Sequence, residues 1–218
     1  MSTSPYPPIV DFQSLAPLRP MTDDEFLDLA HTWHSSPHWW EREAYAAVIG
    51  GRFLIIHGRN DDLVYLVRMW FRIPDMSFRG DAESFESGNE VLLHYFARGD
   101  DDAALHDHPW DFTSDILVGG YQEHLPPLNW THGSKVGPAW NERVEWRFPG
   151  ATITHKATDL HCVGRILPGT FSLMRTGPRH RSWGFHPTGE AWMPYETFLK
   201  RQAAKSETAR LVKGVKNV

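Results

Sequence analysis

The chain has 218 residues and a single cysteine, Cys162, so no internal disulfide can form. A domain of this length buries roughly 70 % of its unfolded surface and needs no such staple. The scarcity of cysteine fits a reducing, cytoplasmic compartment. No apolar run reaches the roughly 18 residues of a membrane-spanning helix. Residues 1–8 lack a basic segment followed by an apolar one, so no signal peptide is expected. Positive charge is also short. Lys and Arg number 22 against 27 Asp and Glu, a net charge of −5 that argues against a nucleic-acid binder held by phosphate contacts. A serine nucleophile elbow, a P-loop and a glycine-rich dinucleotide fingerprint are missing as well.

Hydrophobic content of 41 % and charged content of 22 % describe an ordinary globular domain. The departures are 10 Trp, a packing or aromatic-ligand resource, and 13 His, a metal or proton-transfer resource if some converge. Three regions follow from the punctuation. Residues 1–51 read as a proline-rich arm and two helices, residues 52–193 as a β domain, and residues 194–218 as a C-terminal helix and tail with Lys200, Arg201, Lys205, Arg210 and Lys213. Thr22 with Glu25 three residues on is a capping box, followed by an apolar stripe through Phe26, Leu29, Ala30 and Trp33. A second helix is expected from Ser36 as N-cap and Pro37, ending at Gly50-Gly51.

From Arg52 onward short apolar runs alternate with Gly and Pro turns. Strands are expected at 52–57, 63–71, 90–97, 105–108, 112–118, 121–124, 143–148, 151–155, 161–167, 170–176 and 181–186. The run 63–71 has no clearly polar face and is expected to be covered on both sides. Strands this short and this frequent imply an all-β, antiparallel sandwich or barrel.

The segment Leu105-His106-Asp107-His108-Pro109-Trp110-Asp111-Phe112 carries the chemistry. Residues two apart on a strand face one side, so His106 and His108 present two imidazoles to one point while Asp107 faces away toward solvent. A mononuclear oxygen-activating iron site needs two or three neutral nitrogen ligands, at most one carboxylate, and open positions. Asp111 is the nearest carboxylate. Its parity is wrong unless Pro109 makes a bulge. His161, opening a later strand, is the expected third ligand. His155 is the second choice, with His94, His57 and His124 behind it. The alternative is that His106 and His108 cap a loop, with Asp111 bonding one imidazole.

The spacing resembles the two motifs of the cupin superfamily. The first is Gly, five residues, His-x-His, three or four residues, Glu, six residues, Gly. Gly99 precedes His106 by one residue more than that, His106 and His108 fit the pair, and Gly119 or Gly120 falls at the closing Gly. The Glu position falls on Phe112 or Thr113. In the second motif Gly150 and His161 have the right separation, while Lys156, Thr158 and Arg165 occupy the Pro, Gly and Asn positions. Residues 90–186 carry the likeness. It implies a cupin-type β-barrel, a double-stranded β-helix, whose metal site has three His or is completed by Asp111. The same stretch, with 176–179 and 183–185, resembles small uncharacterised cupin-like proteins of bacteria and phages.

The expected activity is that of a mononuclear metal enzyme, a dioxygenase or related oxidoreductase with iron(II), acting on a small organic molecule with O2. Asp111 would be a fourth ligand or would orient a ligand His. Arg175, with Arg165, Arg179 and Arg181, could point inward and anchor an anionic substrate. Trp110 and Trp183 could line an aromatic pocket. Cys162 is expected buried and inert. A homodimer is possible through sheet edges. The rival readings are a metal-free isomerase or epimerase working through a His base, and a non-catalytic ligand-binding or virion-associated barrel.

Overall fold

Thr22 and Glu25 close their capping box at the start of the first helix. The Thr22 backbone N–H donates to the Glu25 carboxylate at 2.9 Å and the Glu25 N–H donates to Thr22 Oγ1 at 3.3 Å. A computed structural model describes residues 19–58, 61–71, 88–100, 104–130, 143–202 and 204. The proline-rich arm before residue 19, residues 72–87 between two of the expected strands, and the basic tail from residue 205 lie outside the described residues. Helix α1 (Asp23–Thr32) passes through a 3-10 turn (Trp33–Ser35) into α2 (Trp39–Ile49). The second helix was expected at Ser36. It starts later because the Ser36 N–H closes the preceding turn onto Trp33 O at 3.1 Å, while its hydroxyl accepts from the His38 N–H and bonds Glu41. Helix α2 ends at Gly50, and Gly51 follows with φ +67°, a backbone state that costs a glycine little.

Among the described residues twelve strands follow: β1 (Phe53–His57), β2 (Val64–Trp70), β3 (Val91–Phe96), β4 (Ala104–His106), β5 (Phe112–Val118), β6 (Tyr121–Leu125), β7 (Arg143–Arg147), β8 (Thr152–His155), β9 (Cys162–Ile166), β10 (Thr170–Thr176), β11 (Gly184–Pro187) and β12 (Met193–Pro194). All their pairings are antiparallel. One sheet has the order β1-β2-β3-β10-β5-β8, and two three-stranded sheets have the orders β12-β11-β4 and β7-β6-β9. Reciprocal hydrogen bonds between the backbones of His106 and His161, at 2.9 and 3.1 Å, join β4 to the start of β9. The order β4-β9-β6-β7 therefore stands against β3-β10-β5-β8. The chain changes layer at most steps between β3 and β10, as in a double-sheet jelly roll.

Alternation sorts the side chains of the large sheet. Leu66, Phe96, Ile116 and Ile153 from that sheet meet Tyr121, Val163 and Ile166 from the other layer. The opposite parity, Val67, Met69, Leu93, Tyr95, Phe171 and Leu173, packs under Phe26, Ala30, Trp33, Ala44 and Ala47 of the helices. This explains why β2 has no polar face. The expected closed barrel is not what the described strands form. The outer strands β7 and β8 are joined by a turn at residues 148–151 and do not pair, so the layers make an open sandwich. Residues 195–202 form a further helix, whose Phe198 stacks on Phe185 with ring centroids 4.0 Å apart.

Candidate metal centre

The joint between β4 and β9 brings three imidazoles together. His106 ends β4, His108 follows it, and His161 immediately precedes β9. Their ring centroids form a near-equilateral triangle with sides of 5.1, 5.0 and 5.0 Å. One nitrogen from each lies within 4.8 Å of the others. His161 Nε2 is 2.8 Å from His108 Nε2. His161 is buried, whereas His106 and His108 keep part of their surface accessible. The Phe185 ring stands 5.6 Å from His106, and the Phe112 ring 4.7 Å from His108.

Behind His161 sits Glu123, whose side chain has no exposed surface. Its Oε1 accepts from His161 Nδ1 and from His155 Nε2, both at 2.7 Å. Its Oε2 accepts from Arg147 Nε at 2.7 Å, and a second guanidinium nitrogen lies at 2.6 Å. Burial alone would raise the Glu123 pKa, but the hydrogen bonds from His155 and His161 outweigh it and hold the carboxyl well below its ordinary range. A carboxylate only accepts, so His161 carries a proton on Nδ1, and in the neutral ring Nε2, which faces His108, is the nitrogen left with the lone pair. Burial, reinforced by the charges that neighbouring His161 and His106 could carry, holds His108 well below the usual histidine range. Burial, aided by His161, also lowers the His155 pKa, with Glu123 acting in the opposite direction. His108 and His155 are therefore neutral imidazoles at neutral pH.

Glu123, His155 and His161 also lie close enough to share a cation. Arg147 already balances that carboxylate, and both histidine N–H groups occupy its Oε1, so the face with three imidazoles is the better metal position. The donor set fits a transition ion. Three imidazole nitrogens converge, a carboxylate fixes one ring from behind, and the 2.8 Å between two of the candidate ligand atoms lets both reach one ion. A cavity of about 530 Å³ between β7 and β8, lined by Trp130, Arg143, Arg147, His155 and Asp159, reaches this cluster at His155 and not at His106 or His108.

Several expected site residues stand elsewhere. Asp111 does not join the histidines. Its carboxylate accepts from Lys156 Nζ at 2.9 Å and from the Ala157 N–H at 2.8 Å on a half-exposed surface. Arg175 faces outward, bonded to Asp115 at 2.5 Å, because its parity is opposite to that of the inward Met174. Arg165 and Arg179 are exposed. Arg181 does turn in. It contacts Asp107 Oδ2 at 2.9 Å and donates to Ala157 O at 2.7 Å, so it braces the backbone around the histidines. Asp107, expected in solvent, is fully buried, accepting from the Gly184 N–H at 2.7 Å and Trp192 Nε1 at 3.1 Å. Trp110 packs with Trp70, Leu92, Phe112 and Met174 in the interior. Trp183 lies 6.3 Å from the His106 ring and stacks on Tyr195. Cys162 is buried. His57 pairs with Asp23 on the surface, far from this cluster in the sheet order. Glu123 was missed because the motif places its carboxylate near Phe112. The signal was present in β6, where Tyr121, Glu123 and Leu125 share the buried parity, so a carboxylate stands among inward apolar positions.

No protein-family model and no curated protein matches this chain. Among solved structures it is similar to the polyketide cyclase RemF from Streptomyces resistomycificus, with 15 % identity over 60 % of this chain and 76 % of that one, and a TM-score of 0.37. It is similar to Fe(II)-HppE with the alternative substrate (S)-1-HPP, with 12 % identity over 71 % of this chain and 88 % of that one, and a TM-score of 0.35. It is also similar to the DMSP lyase DddQ from Ruegeria pomeroyi DSS-3, with 15 % identity over 84 % and 87 %, and a TM-score of 0.35. At these scores the likenesses are partial, and the activities named belong to those proteins.

Proposed function

We propose that the chain is a metal-dependent enzyme of the cupin type, in which His106, His108 and His161 hold one divalent transition ion, iron(II), and a small organic molecule is oxidised with O2. The observation that carries this reading is the Glu123–His161 pair. It leaves the His161 lone pair at Nε2 aimed at the space shared with His108. Metal-binding histidines commonly donate their other N–H to a carboxylate in this way, which fixes tautomer and ring orientation. Iron bound there supplies a redox-active centre with open coordination positions for substrate and O2.

The chain's own residues have separable tasks. Glu123 orients His161, and Arg147 holds Glu123. Arg181 and Asp107 fix the backbone from which His106 and His108 project. Phe112 and Phe185 flank the imidazoles and exclude water from that side. The same 2.8 Å spacing would also suit a direct His108–His161 hydrogen bond, the arrangement of a metal-free isomerase or epimerase. Against that rival, an imidazole held neutral well below its ordinary pKa is a poor base at pH 7 and a ready ligand.

Melting in the presence of metal tests the proposal. Excess iron(II) under argon, or zinc, raises the Tm of the parent protein and leaves that of His108→Ala unchanged, since only the folded three-histidine site binds the ion. Equal shifts in the two proteins, or none in the parent, select the metal-free reading.

A further inference from the structure

The cavity of about 530 Å³ where β7 and β8 fail to pair is not used by the metal proposal. Its volume falls in the range of small-molecule pockets, about 300–1,000 Å³. Its lining includes His155 but none of His106, His108 and His161, so an occupant lies behind the imidazole triangle and not on the ion.

Strand β7 supplies one wall. Arg143, Glu145 and Arg147 stand opposite Leu125, Glu123 and Tyr121, the buried parity of β6, so three charged side chains share the inward face of an outer strand. Inward charges on such a strand also deter edge-to-edge pairing. That task needs charge alone; it needs neither a cavity nor a guanidinium with bonding capacity left over. Arg147 is fully engaged. It binds Glu123 through two nitrogens and Glu145 Oε2 through a third at 2.8 Å. Arg143 is not. Its Nε is enclosed, makes no hydrogen bond among the described residues, and lies 3.4 Å from Glu145 Oε1, a carboxylate that Arg147 already holds.

Asp159 lines the same cavity. Its Oδ2 accepts from the Lys156 N–H at 2.8 Å and lies 3.8 Å from His155 Nδ1, while its Oδ1 has no hydrogen bond among the described residues. The Lys156 ammonium is turned to Asp111 instead. Arg143 and Asp159 thus face one space without pairing with each other. A pure anion on Arg143 is repelled by Asp159, and a pure cation on Asp159 is repelled by Arg143. A ligand that carries both charges answers both, and a guanidinium fork matches the two oxygens of a carboxylate. The rest of the wall is apolar. Leu125, Ile153 and Leu160 are buried there, with Trp130 beside them. An apolar lining with a few polar groups that fix orientation is the usual build of a small-molecule site.

We propose that the cavity between β7 and β8 binds a small zwitterion of the amino-acid type, with its carboxylate on Arg143, its ammonium on Asp159 and an apolar side chain against Leu125, Leu160 and Trp130. The site goes beyond the metal reading and does not rest on it. Protein freed of metal by dialysis against a chelator is titrated by calorimetry with L-leucine, L-methionine and L-phenylalanine, so that chelation of an ion by the amino acid contributes nothing. At least one of the three binds saturably. Its N-acetyl derivative and its amide, each lacking one of the two charges, bind at least tenfold more weakly. Arg143→Met weakens binding of the parent amino acid at least tenfold, and Asp159→Asn does so several-fold. Both side chains are partly exposed, 35 % for Arg143 and 48 % for Asp159, so neither substitution opens the core. Asp159→Asn keeps the shape and decides the matter alone if Arg143→Met does not fold. Absence of saturable binding of all three amino acids, equal binding of the N-acetyl form or the amide, or parent-like affinity in Asp159→Asn overturns the proposal.

Discussion

Glu123 Oε1 lies 2.7 Å from His161 Nδ1, and that contact decides which nitrogen His161 offers to the rest of the cluster. The carboxylate is buried, charged and clamped on its other oxygen by Arg147, so the imidazole is held from behind by a fixed acceptor.

Replacing that acceptor tests its role. Glu123→Gln keeps the shape and one accepting oxygen but removes the charge. Loss of a carboxylate behind a ligand histidine typically costs 10–100-fold in metal affinity. Competition against a chromophoric chelator is expected to show a fall of about that size. Unchanged affinity would make Glu123 a purely structural partner of Arg147.

His94 sets an acid limb of stability. Burial, reinforced by Arg68, holds its pKa well below the usual histidine range, so it stays neutral in the fold. In the unfolded chain it takes a proton near pH 6.5. Between those two values the unfolded state binds more protons, so the contribution is fully present above about pH 6.5 and is lost as pH falls below it. Urea unfolding in chelator-containing buffer is expected to show a decline from pH 7 to 5 that is shallower in His94→Gln. Identical slopes would mean that His94 is protonated in the folded protein.

Much of the framework was legible because it is local. The capping box at Thr22 and Glu25 forms as read, and the strands at 112–118 and 170–176 have the expected bounds. His106 and His108 lie side by side as expected, although β4 ends at His106 and His108 stands past it, so strand alternation is not what sets the pair. What sequence could not supply depends on contacts across the fold. Asp107 is buried because Arg181, Gly184 and Trp192, more than 70 residues on, supply its partners. Asp111 is taken by Lys156 and Ala157 instead of by the histidines. Barrel closure depends on whether β7 meets β8, which neither strand's pattern reveals.

The helical layer depends on one large ring. Trp33 is 5 % exposed and contacts Phe26, Tyr95 and Phe171 with ring centroids 5.9, 5.6 and 5.2 Å away. Trp33→Ala should cost about 3–5 kcal/mol by leaving a cavity between helices and sheet. Chemical denaturation measures it, and a loss under 1 kcal/mol would mean that the helices collapse into the space or contribute little.

Gly99 is required by a close approach. A Cβ there would run into the Gly164 carbonyl on β9, backbone that cannot swing aside as a side chain can. Gly99→Ala should cost about 1–3 kcal/mol through overpacking. It should also weaken metal binding, because β9 follows directly from His161. Parent-like stability and metal affinity together would show that the loop before β4 yields freely.

The most direct measurement is the metal content of protein purified without an affinity tag or chelator, set beside His106→Ala, His108→Ala and His161→Ala. The account predicts close to one transition ion per chain in the parent and a sharp drop in each single variant, because two imidazoles bind a divalent ion far more weakly than three. A parent that stays metal-free after incubation with iron(II) or zinc, or variants that retain the full complement, would contradict it.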